Sequence, residues 1–170
     1  MRRKDREVEN RDVIYDILKR CDTVKIAMHG DIYPYIVPVS FGTEIENDQV
    51  IVYFHCAQQG MKVELLKENP RVCVEGEIFL QNEKTPHGIT ARYESVIGFG
   101  ECVFVSEREE KIHGLKLLTE HYGYRDYPLD RCAGMDHLLV GKITLDKIYG
   151  KQNLPGSTTP ADRTAAENDS

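Results

Sequence analysis

Several features are missing from this sequence of 170 residues, and each absence excludes a class of protein. No apolar run approaches the ~20 residues that a membrane-spanning helix needs, and no tryptophan is present. The formal net charge is −6, so the chain lacks the basic face with which proteins bind nucleic acid or anionic membranes. The N-terminal MRRKDREVEN is basic, but no apolar secretion segment follows, which predicts a cytoplasmic protein.

The cysteines and histidines also lack the spacing of a disulfide framework or a metal site. The cysteines are five in number, widely spaced and never in a C-x-x-C pair, and no H-E-x-x-H motif is present. We therefore predict no metal site, and we expect the cysteines to be small buried thiols. They are Cys21, Cys56, Cys73, Cys102 and Cys132.

The composition is that of a globular protein, with 41% apolar and 29% charged residues. The length suits one domain with a substantial core. After Lys151 the sequence is polar and contains proline and glycine, with almost nothing apolar to bury. We predict a domain over residues 1–151 and a disordered tail over residues 152–170.

Periodicity and capping residues predict three helices. Asn10 is a candidate N-cap for a helix over Arg11–Arg20, and Asn69-Pro70 ends a second helix over Met61–Glu68. Ser106 with Glu109 forms a capping-box pattern that predicts a third helix, ending near His121.

Six segments read as strands, and polar residues separate them. Residues 44–48 are predicted to be a turn and residues 81–88 a mobile loop. Short connections require antiparallel pairing, and six strands with little helix favour a closed or nearly closed barrel. The predicted strands are Thr23–Met28, Tyr33–Phe41, Gln49–His55, Val72–Phe79, Thr90–Val105 and Leu138–Ile148.

The segment YPYIVPVSFG places two prolines in an otherwise strong strand. Proline removes a ladder donor, so one interpretation is an edge strand or a bulged corner. In the other, Pro38 interrupts the ladder where a planar ligand replaces a neighbouring strand. Backbone groups around Val37–Ser40 would then bond the edge of that ligand.

The segment VYFHCAQQGMK ends a strand at His55 and places Lys62 in the first turn of a helix. The dipole disfavours a lysine there, but a phosphate bound between the amides and the lysine would favour it. An ordinary surface lysine and a hydrogen-bonded strand-end histidine are the alternatives. Cys56 and His55 point to opposite faces of a strand, which argues against a Cys–His dyad.

The segment ARYESVIGFGECVFV begins with polar side chains at Arg92, Tyr93, Glu94 and Ser95. Arg92 and Glu94 could form a solvated face. The glycines at 98 and 100 lie inside a predicted strand rather than before a helix, so they do not form a dinucleotide fingerprint.

Together these segments resemble the FMN-binding split barrels of the pyridoxamine 5′-phosphate oxidase-like superfamily, most closely the nitroimidazole-resistance group. The resemblance rests on RRKDREV, YPYIVPVSFG, YFHCA..G.K and ENPRVCVE, in this order. It implies a mainly β protein with flanking helices, a six-stranded antiparallel split β-barrel. It also implies a homodimer with FMN at the interface.

The resemblance further implies the site residues. His55 would be catalytic, Lys62 would bind the phosphate, and the residues at 92, 93 and 95 would come from the partner chain. Met61 stands where pyridoxamine-phosphate oxidases carry an arginine, and their C-terminal arginine segment is missing, which argues against pyridoxal phosphate synthesis. The implied FMN-binding residues are Tyr35, Ile36, Val37, Pro38, Val39, Ser40, Phe54, His55, Lys62, Arg92, Tyr93 and Ser95.

The implied function is reduction of a small heteroaromatic, nitroimidazole-like substrate, with His55 donating a proton or orienting the acceptor. No nicotinamide fingerprint identifies an electron donor. Two alternatives stay open. One is flavin storage without turnover, and the other is haem binding with His55 or His137 as the ligand.

Overall fold

The computed structural model describes residues 2–86, 88–129, 134 and 137–156, so Cys132 and residues 157–170 of the predicted tail lie outside the described residues. A short 3₁₀ turn over Lys4–Arg6 precedes the first strand. The helices are α1 (Arg11–Arg20), α2 (Met61–Glu68) and α3 (Arg108–His121). The strands are β1 (Glu7–Val8), β2 (Val24–Met28), β3 (Tyr35–Val39), β4 (Gly42–Glu46), β5 (Gln49–Ala57), β6 (Arg71–Thr85), β7 (Gly88–Phe104) and β8 (Leu138–Asn153).

The strands form one sheet in the order β3-β2-β6-β7-β8-β5-β4, with β1 pairing to β8. Every pair with a described register is antiparallel. The mainly β, antiparallel split-barrel class is therefore confirmed, with eight strands in the described residues rather than six. None of the described helices is long and apolar enough to cross a membrane.

The predicted turn at residues 44–48 is wrong because most of this segment is strand β4. The turn consists only of Asn47 and Asp48, which have φ values of 49° and 64°. Asparagine and aspartate tolerate this left-handed region, and two such residues form the tight hairpin between β4 and β5. The predicted strand Tyr33–Phe41 is correspondingly shorter and ends at Val39.

The predicted loop at residues 81–88 is also wrong, because β6 extends to Thr85 and β7 begins at Gly88. Residues 79–82 are all exposed, so this part of the hairpin lacks the alternation by which a half-buried strand is recognised. The capping box at the third helix does not form. Ser106 Oγ lies 3.3 Å from Glu107 Oε1, and no side chain caps α3.

The described parts of residues 1–21, 76–96 and 149–170 form one compact unit. Its helix α1 begins as predicted, because the Asn10 side chain accepts hydrogen bonds from the Asp12 and Val13 amides. Ile17 and Leu18 on the inner face of α1 are fully buried. The close fit of Gly150 to Ile14 continues this packing, since a Cβ on Gly150 would lie 2.7 Å from the Ile14 side chain.

Residues 22–75 and the described parts of residues 97–148 form the second compact unit. In it α3 packs on β4 and β5. Gly42 permits this packing, because a Cβ there would lie 2.4 Å from the α3 backbone. The buried cluster beneath α3 comprises Ile51, Tyr53, Val105, Leu115, Leu129 and Val140.

Candidate functional site

The end of β5 and the start of α2 form the first part of the candidate site, within the second compact unit. Gly60 precedes α2 with φ of +128°, a region that L side chains rarely adopt. No side chain caps the helix, and apart from Gly60 and its two chain neighbours no atom lies within 4 Å of the position that a Gly60 Cβ would take. The amides of the first helical turn therefore begin at an open surface, where the helix dipole favours an anion.

Lys62 extends back over β5 from this helix start. Its Nζ lies 5.2 Å from the centroid of the Phe54 ring. Phe54 is fully buried and packs on Gly141, where a Cβ would lie 2.4 Å from the ring. Within the described residues Lys62 has no ion pair, so its charge is available to an anion at the start of α2.

His55 lies beside this lysine, near the end of β5. His55 is exposed on β5, but partial desolvation by its neighbours lowers its pKa below the ordinary value of 6.5, and the Lys62 charge lowers the pKa further. Both causes disfavour the imidazolium form. The neutral imidazole of His55 is therefore better suited to orient a bound molecule through a hydrogen bond than to act as a permanent positive charge.

The cysteines near this site do not form an activated nucleophile. Burial raises the pKa of half-buried Cys56, although the Lys62 charge acts in the opposite direction. Burial is also the main cause that raises the pKa of Cys102 to about 12. Among the described cysteines, Cys21 and Cys102 are buried as predicted, whereas Cys56 and Cys73 are half-buried. No cluster of metal-binding side chains occurs in the described part of the chain.

Strand β3 forms the second part of the candidate site. It is the terminal strand of the sheet and pairs only with β2, where Pro38 lies opposite Lys25. The edge-strand interpretation is thus confirmed for Pro38, whereas Pro34 lies before the strand. Ile36 and Pro38 are exposed, Tyr35 and Val37 are half-buried, and Val39 is buried, with exposed Ser40 after the strand.

The structure brings some of the predicted residues together within the second compact unit. Phe54, His55 and Lys62 are neighbours, and β2 contacts both β3 and α2. Strand β3 and helix α2 therefore both pack on β2. Both are predicted flavin contacts, and this assignment stays a prediction.

Arg92, Tyr93 and Ser95 lie in the first compact unit, where Arg92 is 2% exposed. The Arg92 guanidinium donates to both Glu83 carboxylate oxygens, at 3.0 and 2.6 Å, and to Asn153 Oδ1 at 3.0 Å. Hydrogen bonding by Arg92 lowers the pKa of Glu83. The predicted role of Arg92 at a flavin stays a prediction, and these described bonds hold its guanidinium within its own chain.

The solvated-face interpretation of Arg92 and Glu94 is wrong, because both side chains are buried. Glu94 accepts two hydrogen bonds from Arg20, at 2.7 and 2.9 Å. Tyr93 and Ser95 are half-buried, and Lys151 Nζ lies 5.8 Å from the Tyr93 ring centroid. Sequence reasoning missed the partners Glu83, Asn153 and Arg20, which no local pattern connects to this strand.

Comparison with known proteins agrees with this architecture. Residues 10–152 match the family described as pyridoxamine 5′-phosphate oxidase. No curated protein matches the chain.

Solved structures provide further matches. A candidate 5-nitroimidazole antibiotic resistance protein from Bacteroides thetaiotaomicron is 28% identical, with 85% of each chain covered and a TM-score of 0.72. A flavocytochrome from Azotobacter vinelandii is 16% identical over 96% of this chain and 77% of that chain, with a TM-score of 0.74. An FAD and heme binding protein from Mycobacterium smegmatis is 16% identical over 94% of this chain and 80% of that chain, with a TM-score of 0.72. The latter two likenesses concern the fold alone, whereas the family match over residues 10–152 shows that the chain belongs to the pyridoxamine 5′-phosphate oxidase-like split-barrel family.

Proposed function

We propose that the chain is an FMN-binding oxidoreductase that reduces small heteroaromatic compounds of the nitroimidazole type. The observation that supports this most is the uncapped start of α2, with Lys62 held over Phe54 at the end of β5. The 28% identity to a candidate 5-nitroimidazole antibiotic resistance protein supports the substrate class.

The donor set fits the phosphate of FMN. Backbone amides and the dipole at a helix start favour a phosphate dianion, and a lysine adds a charge-assisted hydrogen bond. The free edge of β3 fits the polar rim of a flavin ring, because unpaired main-chain groups along an edge strand can bond a planar ligand. Bound FMN would supply the electron-transfer chemistry.

His55 would orient the substrate. Its lowered pKa favours the neutral ring, in which one nitrogen donates a hydrogen bond and the other accepts one. In this proposal His55 holds a polar group of the heteroaromatic compound while the buried Phe54 keeps the end of β5 rigid.

The proposal includes a homodimer, as family resemblance implies. On the outer side of β7, Ile97 and Val103 are 42% and 57% exposed. Apolar side chains in such positions favour a partner surface. Light scattering of the purified protein should give the mass of two chains, and a monomer would contradict this part of the proposal.

Flavin titration tests the phosphate site directly. Lys62→Met should weaken FMN binding about 10- to 100-fold, from the ~1.5–3 kcal/mol of a charged hydrogen bond, and should leave riboflavin binding unchanged. Lys67→Met on the same helix is the matched control and should bind both flavins normally. Equal losses for FMN and riboflavin would show that Lys62 does not contact the phosphate.

Turnover requires a second experiment. The bound flavin is reduced anaerobically and mixed with a nitroimidazole, and its reoxidation is compared with that of free FMN. We expect faster reoxidation by the protein and a slower rate in His55→Gln. Reoxidation no faster than free FMN would support flavin storage, and a Soret band in the purified protein would support haem binding.

A further inference from the structure

Strand β7 carries polar side chains on two different faces within the first compact unit. Arg92 and Glu94 are buried, and both bond partners inside their own chain. Tyr93 and Ser95 are half-buried and alternate with them, so these two side chains point to the opposite face of the strand. The inner pair is therefore tied to its own chain, whereas the outer pair is accessible to a bound molecule.

Arg92 joins three strands through one buried guanidinium. It donates to Glu83 on β6 and to Asn153 on β8. Asn153 is 4% exposed, and its Nδ2 donates to the Ala91 carbonyl at 2.7 Å and to Thr90 Oγ1 at 3.3 Å. A buried charge is stable only when it is paired and hydrogen-bonded, and a bidentate pair fixes the geometry of both members. We call Glu83, Arg92 and Asn153 the clamp.

The far part of the β6–β7 hairpin lacks the burial that usually fixes the register of paired strands. None of the described residues between 79 and 91 is buried. Where neither face of a strand is buried, its pairing is weakly specified, and a slip by one residue moves every side chain to the opposite face. Such a slip would turn Tyr93 and Ser95 inward. The clamp opposes it, because Arg92 can bond Glu83 and Asn153 from the inner face alone.

We propose that the clamp positions the flavin contacts that this chain provides to its partner. It holds Tyr93 and Ser95 in the register in which they meet the flavin of the partner chain, and Arg92 does not itself touch that flavin. This inference rests on the proposed function, since it requires an FMN-binding dimer. It makes Glu83 and Asn153 positioning residues for the flavin site.

Flavin titration of Glu83→Gln tests the clamp at a member that faces away from the proposed flavin. The amide keeps the shape of the side chain but loses its charge and one acceptor. FMN and riboflavin should both bind about tenfold more weakly, because the phosphate contact at Lys62 is unchanged. Glu9→Gln, an exposed carboxylate of the same compact unit, is the matched control and should bind both flavins normally. Unchanged binding in Glu83→Gln would overturn the proposal.

A mutant cycle separates positioning from a general loss of stability. Tyr93→Ala combined with Ser95→Ala removes the side chains that the clamp positions, and it should weaken binding of both flavins. Adding Glu83→Gln to this pair should cause no further loss, because effects that act through the same residues are not additive. A further tenfold loss would make the role of the clamp structural alone. Normal flavin binding by the Tyr93 and Ser95 variant would contradict the proposal as well.

Two further measurements keep the outcomes distinct. Asn153→Ala keeps the Arg92–Glu83 pair and should show the same flavin losses, so it replaces Glu83→Gln if that variant does not fold. In the flavin-free protein, amide hydrogen exchange over residues 90–95 should be faster in either variant and unchanged in α3. Equal exchange over residues 90–95 would refute the positioning role. If the wild-type protein binds no FMN, the proposed function fails together with this inference, whereas normal FMN binding by both variants removes the clamp alone.

Discussion

The ion pair between Arg20 and Glu94 should show an unequal response to loss of its two members. The Glu94 side chain is 9% exposed, whereas that of Arg20 is 44% exposed and also bonds Asp16 at 2.8 Å. Arg20→Met therefore leaves a nearly buried carboxylate without a counterion. Glu94→Gln leaves a hydrated guanidinium that keeps Asp16.

The expected magnitudes follow from these exposures. Removing one member of a buried pair costs ~3–5 kcal/mol, and the partial exposure of Arg20 favours the lower end for Arg20→Met, about 3 kcal/mol. Glu94→Gln should cost about 1 kcal/mol, the value of a lost charged hydrogen bond near the surface. The double variant should be more stable than Arg20→Met, because no isolated charge stays buried.

Equilibrium unfolding in urea measures these differences if the transition is two-state with a constant slope. Asp16→Asn is the control for the exposed arm of the network and should cost only ~0.3–0.5 kcal/mol. The reasoning is refuted if Glu94→Gln is as destabilising as Arg20→Met, because burial of the carboxylate would then not determine the cost.

Lys62→Met should raise the pKa of His55, because the Lys62 charge is one cause of its lowering, and the His55 ring proton shift followed against pH measures this. Because the pKa of His55 is lowered in the folded state, the unfolded chain binds a proton first as the pH drops below about 6.5. The free energy of unfolding should therefore fall in this pH range, and His55→Gln should reduce that fall. Gly42→Ala should reduce the free energy of unfolding by about 1–3 kcal/mol, since its Cβ would lie 2.4 Å from the α3 backbone, and urea unfolding tests this. Buried Cys102, with its pKa raised to about 12, should react with iodoacetamide more slowly than half-buried Cys73, and equal rates would contradict the burial.

Local sequence patterns predicted those parts of the fold that local interactions determine. Helix α1 begins after Asn10 and ends at Arg20 as predicted, because the cap and the apolar spacing lie within the helix itself. The capping box at Ser106 failed because its hydroxyl contacts the adjacent Glu107 instead. The far end of the β6–β7 hairpin was missed because its exposed residues carry no alternation.

The candidate site also has one part that the local sequence predicts and another that depends on contacts between distant residues. The sequence predicts the position of Lys62 in the first turn of α2, because neighbouring residues mark both the end of strand β5 and the beginning of the helix. The burial of Arg92 depends on Glu83 and Asn153, the latter 61 residues away, and only the pairing of distant strands brings them together. Such long-range pairs are invisible to periodicity and motif spacing.

At Gly60, before the start of α2, the backbone conformation rather than a lack of space excludes other L-amino acids. Space is free around this residue, but its φ of +128° and ψ of 164° suit an extended residue of mirror-image configuration. A D-alanine introduced there by chemical synthesis would have both room and a relaxed backbone, whereas L-alanine would have room alone. Chirality, and not crowding, therefore restricts this position to glycine among the genetically encoded residues.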